Sequence, residues 1–226
     1  WIKRLDLFKN IWHIIIIFIV MIGGIYLGFF TPTEGAAIGA AGTGLIAAFN
    51  KNFNFLSFLD VIESTAITSG MIFLVLLGAE FFNSFIALSQ LPNILAELTV
   101  QHQLTPMIVV GSILILYLFL GCLMDSLAMI LLTIPVFFPL VMTLDFGMSP
   151  EETAIWFGIL TLITVEVGLI TPPVGLNVFI INKMAGDVKI SETFKGVLPF
   201  LLSDIIRVTL LFIFPSITLI ALKIFY

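Results

Sequence analysis

The sequence predicts an all-α polytopic membrane protein with a re-entrant helical hairpin and a broken transmembrane helix. Of its 226 residues, 60% are hydrophobic and 10% are charged, whereas soluble domains are about 45–50% apolar and about 25% charged. A helix needs roughly 20 apolar residues to cross a bilayer, and the chain contains several such stretches. Two of them are interrupted near the middle by glycine, proline and polar residues, at 121–126 and at 168–175.

The composition also excludes several classes of site. The single cysteine, Cys122, allows no disulfide within the chain and no cysteine-rich metal site. The two histidines, His13 and His102, have no ligand-like partner near them in the sequence. No basic cluster suggests binding to nucleic acid. The expected surroundings are therefore lipid and other membrane protein segments, with no nucleic acid.

Residues 1–105 are predicted to form scaffold-type transmembrane helices and a surface arm helix. An uncharged span at 11–30 is followed by Thr31-Pro32-Thr33-Glu34, a capping box with proline at the first helical position. Glu34 is therefore expected to be structural first and a site residue second. Three further helices are expected in this region: a small-residue helix at 35–49, a long helix at 56–88 and a short amphipathic arm at 92–103.

Residues 106–196 are predicted to be the transport-type region, which begins with a hairpin. The chain is apolar from 106 to 143, too far for one span, and Gly121-Cys-Leu-Met-Asp-Ser126 interrupts this run. Two helices of about 15 residues would each rise roughly 22 Å, which is short of a full crossing. The pattern therefore predicts a re-entrant hairpin whose tip lies at membrane depth.

A broken transmembrane helix is predicted after the hairpin. The apolar segment 153–181 is interrupted where Pro172 and Pro173 remove two N–H donors, and Gly168 and Gly175 permit unusual backbone angles beside them. Unwound backbone at membrane depth is tolerated only where it is buried in protein or lines a cavity. Residues 197–226 are predicted to be the final transmembrane helix.

The distribution of basic residues predicts the orientation. No lysine or arginine occurs between Lys51 and Lys183. Cytoplasmic loops are enriched in both residue types, so threading the predicted spans places the N-terminus and the loops at Lys51 and Lys183 in the cytoplasm. The hairpin then enters from the opposite side, where the C-terminus also lies.

Asp125 at the hairpin tip is the first candidate site residue. A carboxylate at the bilayer centre costs about 2.5 kcal/mol or more, so it needs a cation, a water-filled cavity or a polar partner. Gly121 lets backbone carbonyls turn outward, and Ser126 can start the second helix as its N-cap. The alternative is that Asp125 is structural and caps that helix.

The break at 168–175 is the second candidate. Broken helices in transporters expose carbonyl oxygens to Na⁺ and helix N-termini to anions, and Thr171 and Asn177 add a hydroxyl and an amide beside the break. The alternative is a proline kink without a ligand. Glu166, two residues before the interruption, is predicted either to face the site or to pair with another helix.

Three segments carry a likeness to a known family: 23–37 (GGIYLGFFTPTEGAA), 121–126 (GCLMDS) and 168–177 (GLITPPVGLN). In this order they resemble the second half of the large membrane subunit of TRAP (tripartite ATP-independent periplasmic) transporters. The resemblance implies half of an inverted-repeat, elevator-type secondary transporter in the bacterial inner membrane, with Na⁺ as coupling ion and no organic cofactor. It implies as partners the N-terminal half of the same subunit, a small membrane subunit, a periplasmic substrate-binding protein and an organic acid such as a C4-dicarboxylate or a sialic acid.

The resemblance also assigns residues. Substrate binding is expected from Asp125, Ser126 and Asn177. Na⁺ binding is expected from residues of the tip and of the break: Gly121, Asp125, Gly168, Thr171, Pro172, Pro173 and Gly175. Cys122 and Met124 receive no role.

Other functions remain open at this point. A Na⁺-coupled dicarboxylate symporter that works without a binding protein would share the hairpin and the broken helix. A non-transporting membrane scaffold predicts that Asp125 and Asn177 are dispensable. An intramembrane protease is disfavoured, because His-Glu-x-x-His and Gly-x-Ser-x-Gly are absent and Asp125 is the only aspartate well inside a span.

Overall fold

The computed structural model describes residues 2–49, 53–186 and 188–225, which form helices and connecting turns with no strand among them. The predicted turn at Lys51 lies outside the described residues. The helices are α1 (Ile2–Tyr26), α2 (Pro32–Ala48), α3 (Phe55–Leu88), α4 (Leu91–Gln101), α5 (Pro106–Gly121), α6 (Ser126–Met142), α7 (Pro150–Ile170), α8 (Leu176–Ala185), α9 (Ile190–Ile213) and α10 (Pro215–Phe225).

Within the described part of the chain, three helices are long and apolar enough to cross a membrane: α3, α7 and α9. Shorter apolar helices accompany them, including α5, α6 and α8. The all-α class is therefore confirmed. Whether α5 and α6 re-enter the membrane rather than cross it stays a prediction, as does the inverted repeat.

The chain divides by its contacts into two units, Trp1–Met71 and Ile72–Tyr226, with α3 contributing to both. In the first unit, the Thr31 N–H donates to the Glu34 carboxylate at 2.8 Å and the Glu34 N–H donates to the Thr31 hydroxyl at 3.4 Å. This pair of bonds confirms the predicted capping box at the start of α2. Glu34 is exposed and has a structural role there.

The second unit is centred on α7, which packs against α5, α6, α8, α9 and α10. Trp156 is fully buried, and its indole N–H donates to the Leu211 carbonyl of α9 at 2.9 Å. A buried indole needs such a partner, so this bond fixes α7 against α9. The fully buried side chains between α5 and α7 include Val110, Tyr117, Phe157, Leu160 and Val165. This core holds in place the C-terminal end of α7, where the helix breaks.

Helices α5 and α6 form a hairpin around a short turn. Close to the turn, the Tyr117 hydroxyl of α5 lies 3.0 Å from the Thr133 hydroxyl of α6. Farther along α6, the Phe137 ring meets the Tyr117 ring edge-on, with centroids 5.8 Å apart. The predicted pair of short helices is therefore present, with a hydrogen bond and a ring contact holding the two arms together.

The predicted final transmembrane helix at 197–226 is not one continuous helix. Helix α9 ends at Ile213 and α10 begins at Pro215. Proline has no backbone N–H and disfavours the helical conformation in the residue before it. Phe214 accordingly leaves the helical region, with φ −119° and ψ 78°.

Candidate functional site

The hairpin tip is closed by Asp125. Its Oδ2 accepts hydrogen bonds from the Leu127 N–H at 3.1 Å and the Ala128 N–H at 3.4 Å, so it is the N-cap of α6. The residue is exposed, and its other carboxylate oxygen makes no hydrogen bond to a described residue. Asp125 therefore caps a helix and still presents a free oxygen at the tip.

The prediction that Ser126 caps α6 is wrong. Ser126 is the first residue of the helix and is half-buried. Aspartate and serine cap helices about equally well, and here Asp125 has the extended backbone that a cap requires, with φ −65° and ψ 146°. Ser126 remains next to the tip but offers no cap.

The break after α7 is shorter than predicted. Gly168 lies inside α7, which stays helical through Ile170, so the expectation that Gly168 takes unusual backbone angles is wrong. Thr171 is extended (φ −87°, ψ 135°), and its hydroxyl donates to the Val167 carbonyl at 2.6 Å. Gly175 directly precedes α8 and has a positive φ of +59°, which confirms the prediction of an unusual backbone angle there.

Gly121 and Gly168 bring the tip and the break together. A Cβ on Gly121 would lie 2.9 Å from the Gly168 Cα, and a Cβ on Gly168 would lie 2.7 Å from the Gly121 Cα and 3.1 Å from the Leu118 carbonyl oxygen. The neighbours are backbone atoms, so no side-chain rotation could relieve the overlap. Helices α5 and α7 therefore approach at a distance that only glycine allows.

This contact was not predicted, although the sequence carried a signal for it. Small residues in apolar helices allow backbones to approach closely in membranes. The sequence instead predicts that Gly121 and Gly168 provide backbone freedom, because each stands beside an interruption in the apolar pattern.

Cys122 adds a second link between tip and break. Its buried thiol lies 3.2 Å from the Leu118 carbonyl and 3.7 Å from the Pro172 carbonyl. The thiol is a weak donor that faces one carbonyl of α5 and one of the break. Cys122 receives no role from the sequence, and no pattern in a single chain indicates a contact fifty residues away.

The remaining predicted residues lie on α7, on α8 and in the break between them. Asn177 lies in the first turn of α8 and is half-buried, and Pro173 is exposed in the break. Glu166 is exposed on α7, roughly 200° around the helix from Gly168. Glu166 therefore points away from the Gly121 contact, and its part in any site stays a prediction.

The junction contains backbone carbonyl oxygens and the Thr171 hydroxyl. Among the described residues, no group of three or more histidine, cysteine, aspartate or glutamate side chains could hold a metal. A cation here would depend on carbonyl and hydroxyl oxygens, and the hairpin tip carries one carboxylate, Asp125. By analogy with other hard cations, Na⁺ fits such oxygen donors.

Comparison with known proteins decides the family. The family model described as tripartite ATP-independent periplasmic transporter, DctM component, matches residues 1–217. The chain belongs to this family. The members of this DctM family are transporter permeases and not enzymes, as the sequence predicted, and the chain is an integral membrane protein.

Curated relatives of the chain are transporter permeases named for different acids. It is 30% identical over 208 residues to a sialic acid TRAP transporter large permease protein of Vibrio cholerae, covering 92% of this chain and 47% of that protein. It is 32% identical over 213 residues to a C4-dicarboxylate TRAP transporter large permease protein of Pseudomonas aeruginosa, covering 93% and 48%. A sialic acid TRAP transporter permease protein of Haemophilus influenzae is 34% identical over 212 residues, covering 93% and 33%. The chain thus spans half or less of the length of these relatives, and no solved structure matches it.

Proposed function

We propose that this chain supplies half of the ion and substrate site of a Na⁺-coupled secondary transporter that imports an organic acid. In this proposal a periplasmic binding protein delivers the acid, a small membrane subunit completes the complex, and an elevator movement carries the site across the inner membrane. The observation that carries it is the backbone contact between Gly121 and Gly168, which joins the hairpin tip to the broken helix.

Coordination of Na⁺ is the first function of the proposed junction. The backbone from Thr171 to Gly175 lies outside any helix, and carbonyls at such breaks are the usual Na⁺ ligands in transporters with broken helices. The free carboxylate oxygen of Asp125 offsets the charge of the ion, which lowers the cost of carrying it through a low-dielectric region. Gly121 and Gly168 hold the two sets of donors in register.

Binding of a carboxylate is the second function. Helix α8 begins at Leu176 without a side-chain cap, because its N-cap is Gly175. The first backbone N–H groups of a helix have no partner within it, and they bind anions where no side chain caps them. The Asn177 amide in the same turn adds a donor, so a substrate carboxylate fits beside the ion.

Uptake by the complete complex should require both a Na⁺ gradient and the binding protein. Radiolabelled sialic acid and a C4-dicarboxylate are the first substrates to measure, in proteoliposomes with an imposed Na⁺ gradient. Collapse of the gradient should reduce uptake to the level of empty vesicles, and omission of the binding protein should have the same effect.

The other outcomes separate the alternatives. Na⁺-driven uptake that persists without the binding protein would identify a symporter that captures its substrate directly. Uptake that stays unchanged when the Na⁺ gradient is collapsed would refute the proposed coupling. A chain that supports no uptake in any complex and tolerates loss of Asp125 and Asn177 would be a scaffold.

The orientation is part of the proposal and can be measured separately. A thiol introduced by Met148→Cys should react with an impermeant maleimide added from the periplasm, and one introduced by Ala185→Cys only with reagent on the cytoplasmic side. The native Cys122 is 3% exposed, so the unmodified protein is the background control. The reverse pattern of labelling would invert the proposed topology.

A further inference from the structure

Glu80 is a carboxylate on α3, a helix long and apolar enough to cross the membrane. It is exposed, and it takes part in no hydrogen bond or ion pair with the described residues. Residues 64–88 of α3 contain no other charged side chain. Ionisable residues inside a membrane are rare and almost always face protein or a water-filled cavity, where they are paired. Glu80 therefore indicates a protein contact that the described residues do not supply.

The position of Glu80 along α3 keeps it within the lipid. Residues 64–88 correspond to about 37 Å of helix, and the hydrocarbon core of a bilayer is about 30 Å thick. Glu80 precedes the end of the helix at Leu88 by eight residues, or about 12 Å. If the whole excess of roughly 7 Å in an upright helix extends beyond the core at this end, the Glu80 backbone still lies about 5 Å inside it.

No basic side chain that the structure describes is placed to neutralise this carboxylate. The sequence has no lysine or arginine from 52 to 182. Arg207 of α9 is already paired with Asp204 at 2.9 Å. The other described basic residues belong to α8 and α9 or to the turn between them, and α3 packs closely against neither helix. The partner of Glu80 must therefore lie outside these helices.

The face of α3 that carries Glu80 has the spacing of a contact between two helices. Five exposed residues follow one another at intervals of four and three: Phe73, Leu77, Glu80, Ser84 and Ala87. This spacing places them on one stripe, as in helices that pack at a shallow angle, and small residues such as Ser84 and Ala87 let a neighbouring backbone approach. The two buried residues of α3, Ala79 and Ile86, lie roughly 130° around the helix. The stripe is thus turned away from the side on which α3 is buried.

We propose that this stripe docks a transmembrane helix from the remainder of the large permease, and that a lysine or arginine of that helix pairs with Glu80. The chain spans 47% and 48% of two relatives named as large permease proteins, so that remainder is about as long as this chain. A helix of the same polypeptide is held at high effective concentration, and its basic residue supplies the charge that Glu80 needs in lipid. The inference rests on the proposed role of the chain as half of a permease and not on Na⁺ coupling.

Photocrosslinking tests the contact in the complete large permease, reconstituted with its small subunit in nanodiscs. Leu77→p-benzoylphenylalanine, one turn before Glu80, should crosslink to a peptide of the large permease outside this chain, with a lysine or arginine within one helical turn of the crosslinked position. Phe85→p-benzoylphenylalanine is the matched control. Phe85 is exposed to a similar degree (65% against 59% for Leu77) but lies roughly 120° from the stripe, so it should crosslink to lipid alone.

Each other result of the crosslinking contradicts the docking. Crosslinks from Leu77 to lipid alone, to the small subunit, to a second copy of this chain or to a peptide without a basic residue would overturn it, as would the same crosslinked peptide from Phe85. Uptake is not measured, so a crosslink found in a permease that lacks Na⁺ coupling would refute the proposed function and keep this contact.

Charge variants test the ion pair itself. Glu80→Gln keeps the size of the side chain and removes the charge, so it should lower the yield of the Leu77 crosslink severalfold. Glu80→Lys should abolish the crosslink, and changing the identified basic residue to glutamate should restore it. Glu63→Lys alters another exposed carboxylate of α3 and should leave the yield unchanged. Glu80→Gln decides the question even if Glu80→Lys fails to insert: an unchanged yield in this variant would overturn the ion pair.

Discussion

Gly168→Ala should abolish transport while the protein still inserts into the membrane. The added Cβ would lie 2.7 Å from the Gly121 Cα and 3.1 Å from the Leu118 carbonyl oxygen. Overpacking of this kind typically costs about 1–3 kcal/mol, and α5 and α7 must move apart to relieve it. The hairpin tip then moves away from the break, so Na⁺-driven uptake should be lost and the melting temperature in detergent should fall.

The same helix offers a matched control for this substitution. Gly158 is also in α7, and a Cβ placed there meets nothing within 4 Å. Gly158→Ala should leave uptake unchanged and stabilise the helix by up to about 1 kcal/mol. Gly121→Ala should reproduce the loss, because its Cβ would lie 2.9 Å from the Gly168 Cα. Normal uptake in both Gly121→Ala and Gly168→Ala would show that the junction does not set the geometry of the site.

Asp125→Asn should remove transport function without destabilising the fold. Asparagine caps helices as well as aspartate does, so the bonds to the Leu127 and Ala128 N–H groups can be kept while the charge is lost. Uptake should fall about tenfold or more, the factor that roughly 1.4 kcal/mol of lost interaction gives. The Na⁺ concentration for half-maximal uptake should rise in the residual activity.

Asp125→Ala separates the helix cap from the proposed role of this carboxylate in transport. It removes the cap as well as the charge, so it should lower stability by about 0.5–2 kcal/mol in addition to the transport defect. If Asp125→Asn transports normally with unchanged Na⁺ dependence and only Asp125→Ala is impaired, then Asp125 is a helix cap alone.

Local patterns in the sequence predicted the elements well. The capping box at Thr31 and Glu34 is present because both of its partners lie within four residues, where local geometry decides the outcome. The interruptions at 121–126 and 168–175 correctly located the tip and the break, and at the break the consecutive prolines Pro172 and Pro173 remove two N–H donors. The long apolar stretches form helices, because a helix pairs all of its backbone N–H and C=O groups internally, as a segment in lipid must.

The failures concern choices between neighbouring residues and contacts across the fold. Asp125 and Ser126 are both good caps, and only the path of the chain selects the first. Gly168 could mark an irregular backbone or a close approach, and only the position of Gly121 on another helix shows which. Phe214 leaves the helix because of Pro215, but an apolar run on both sides hid the break. The contact between Cys122 and Pro172 has no signature in a single sequence.

The meeting of tip and break has an electrostatic consequence. Helices α5 and α7 end where α6 and α8 begin, so two helix C-termini and two N-termini come within one junction. Each C-terminus carries about half a negative charge and each N-terminus about half a positive one. A cation bound at the two C-termini and an anion bound at the two N-termini would stabilise each other electrostatically, even without direct contact between them. If both ligands bind as proposed, thermodynamic linkage requires that each raise the affinity for the other by the same factor.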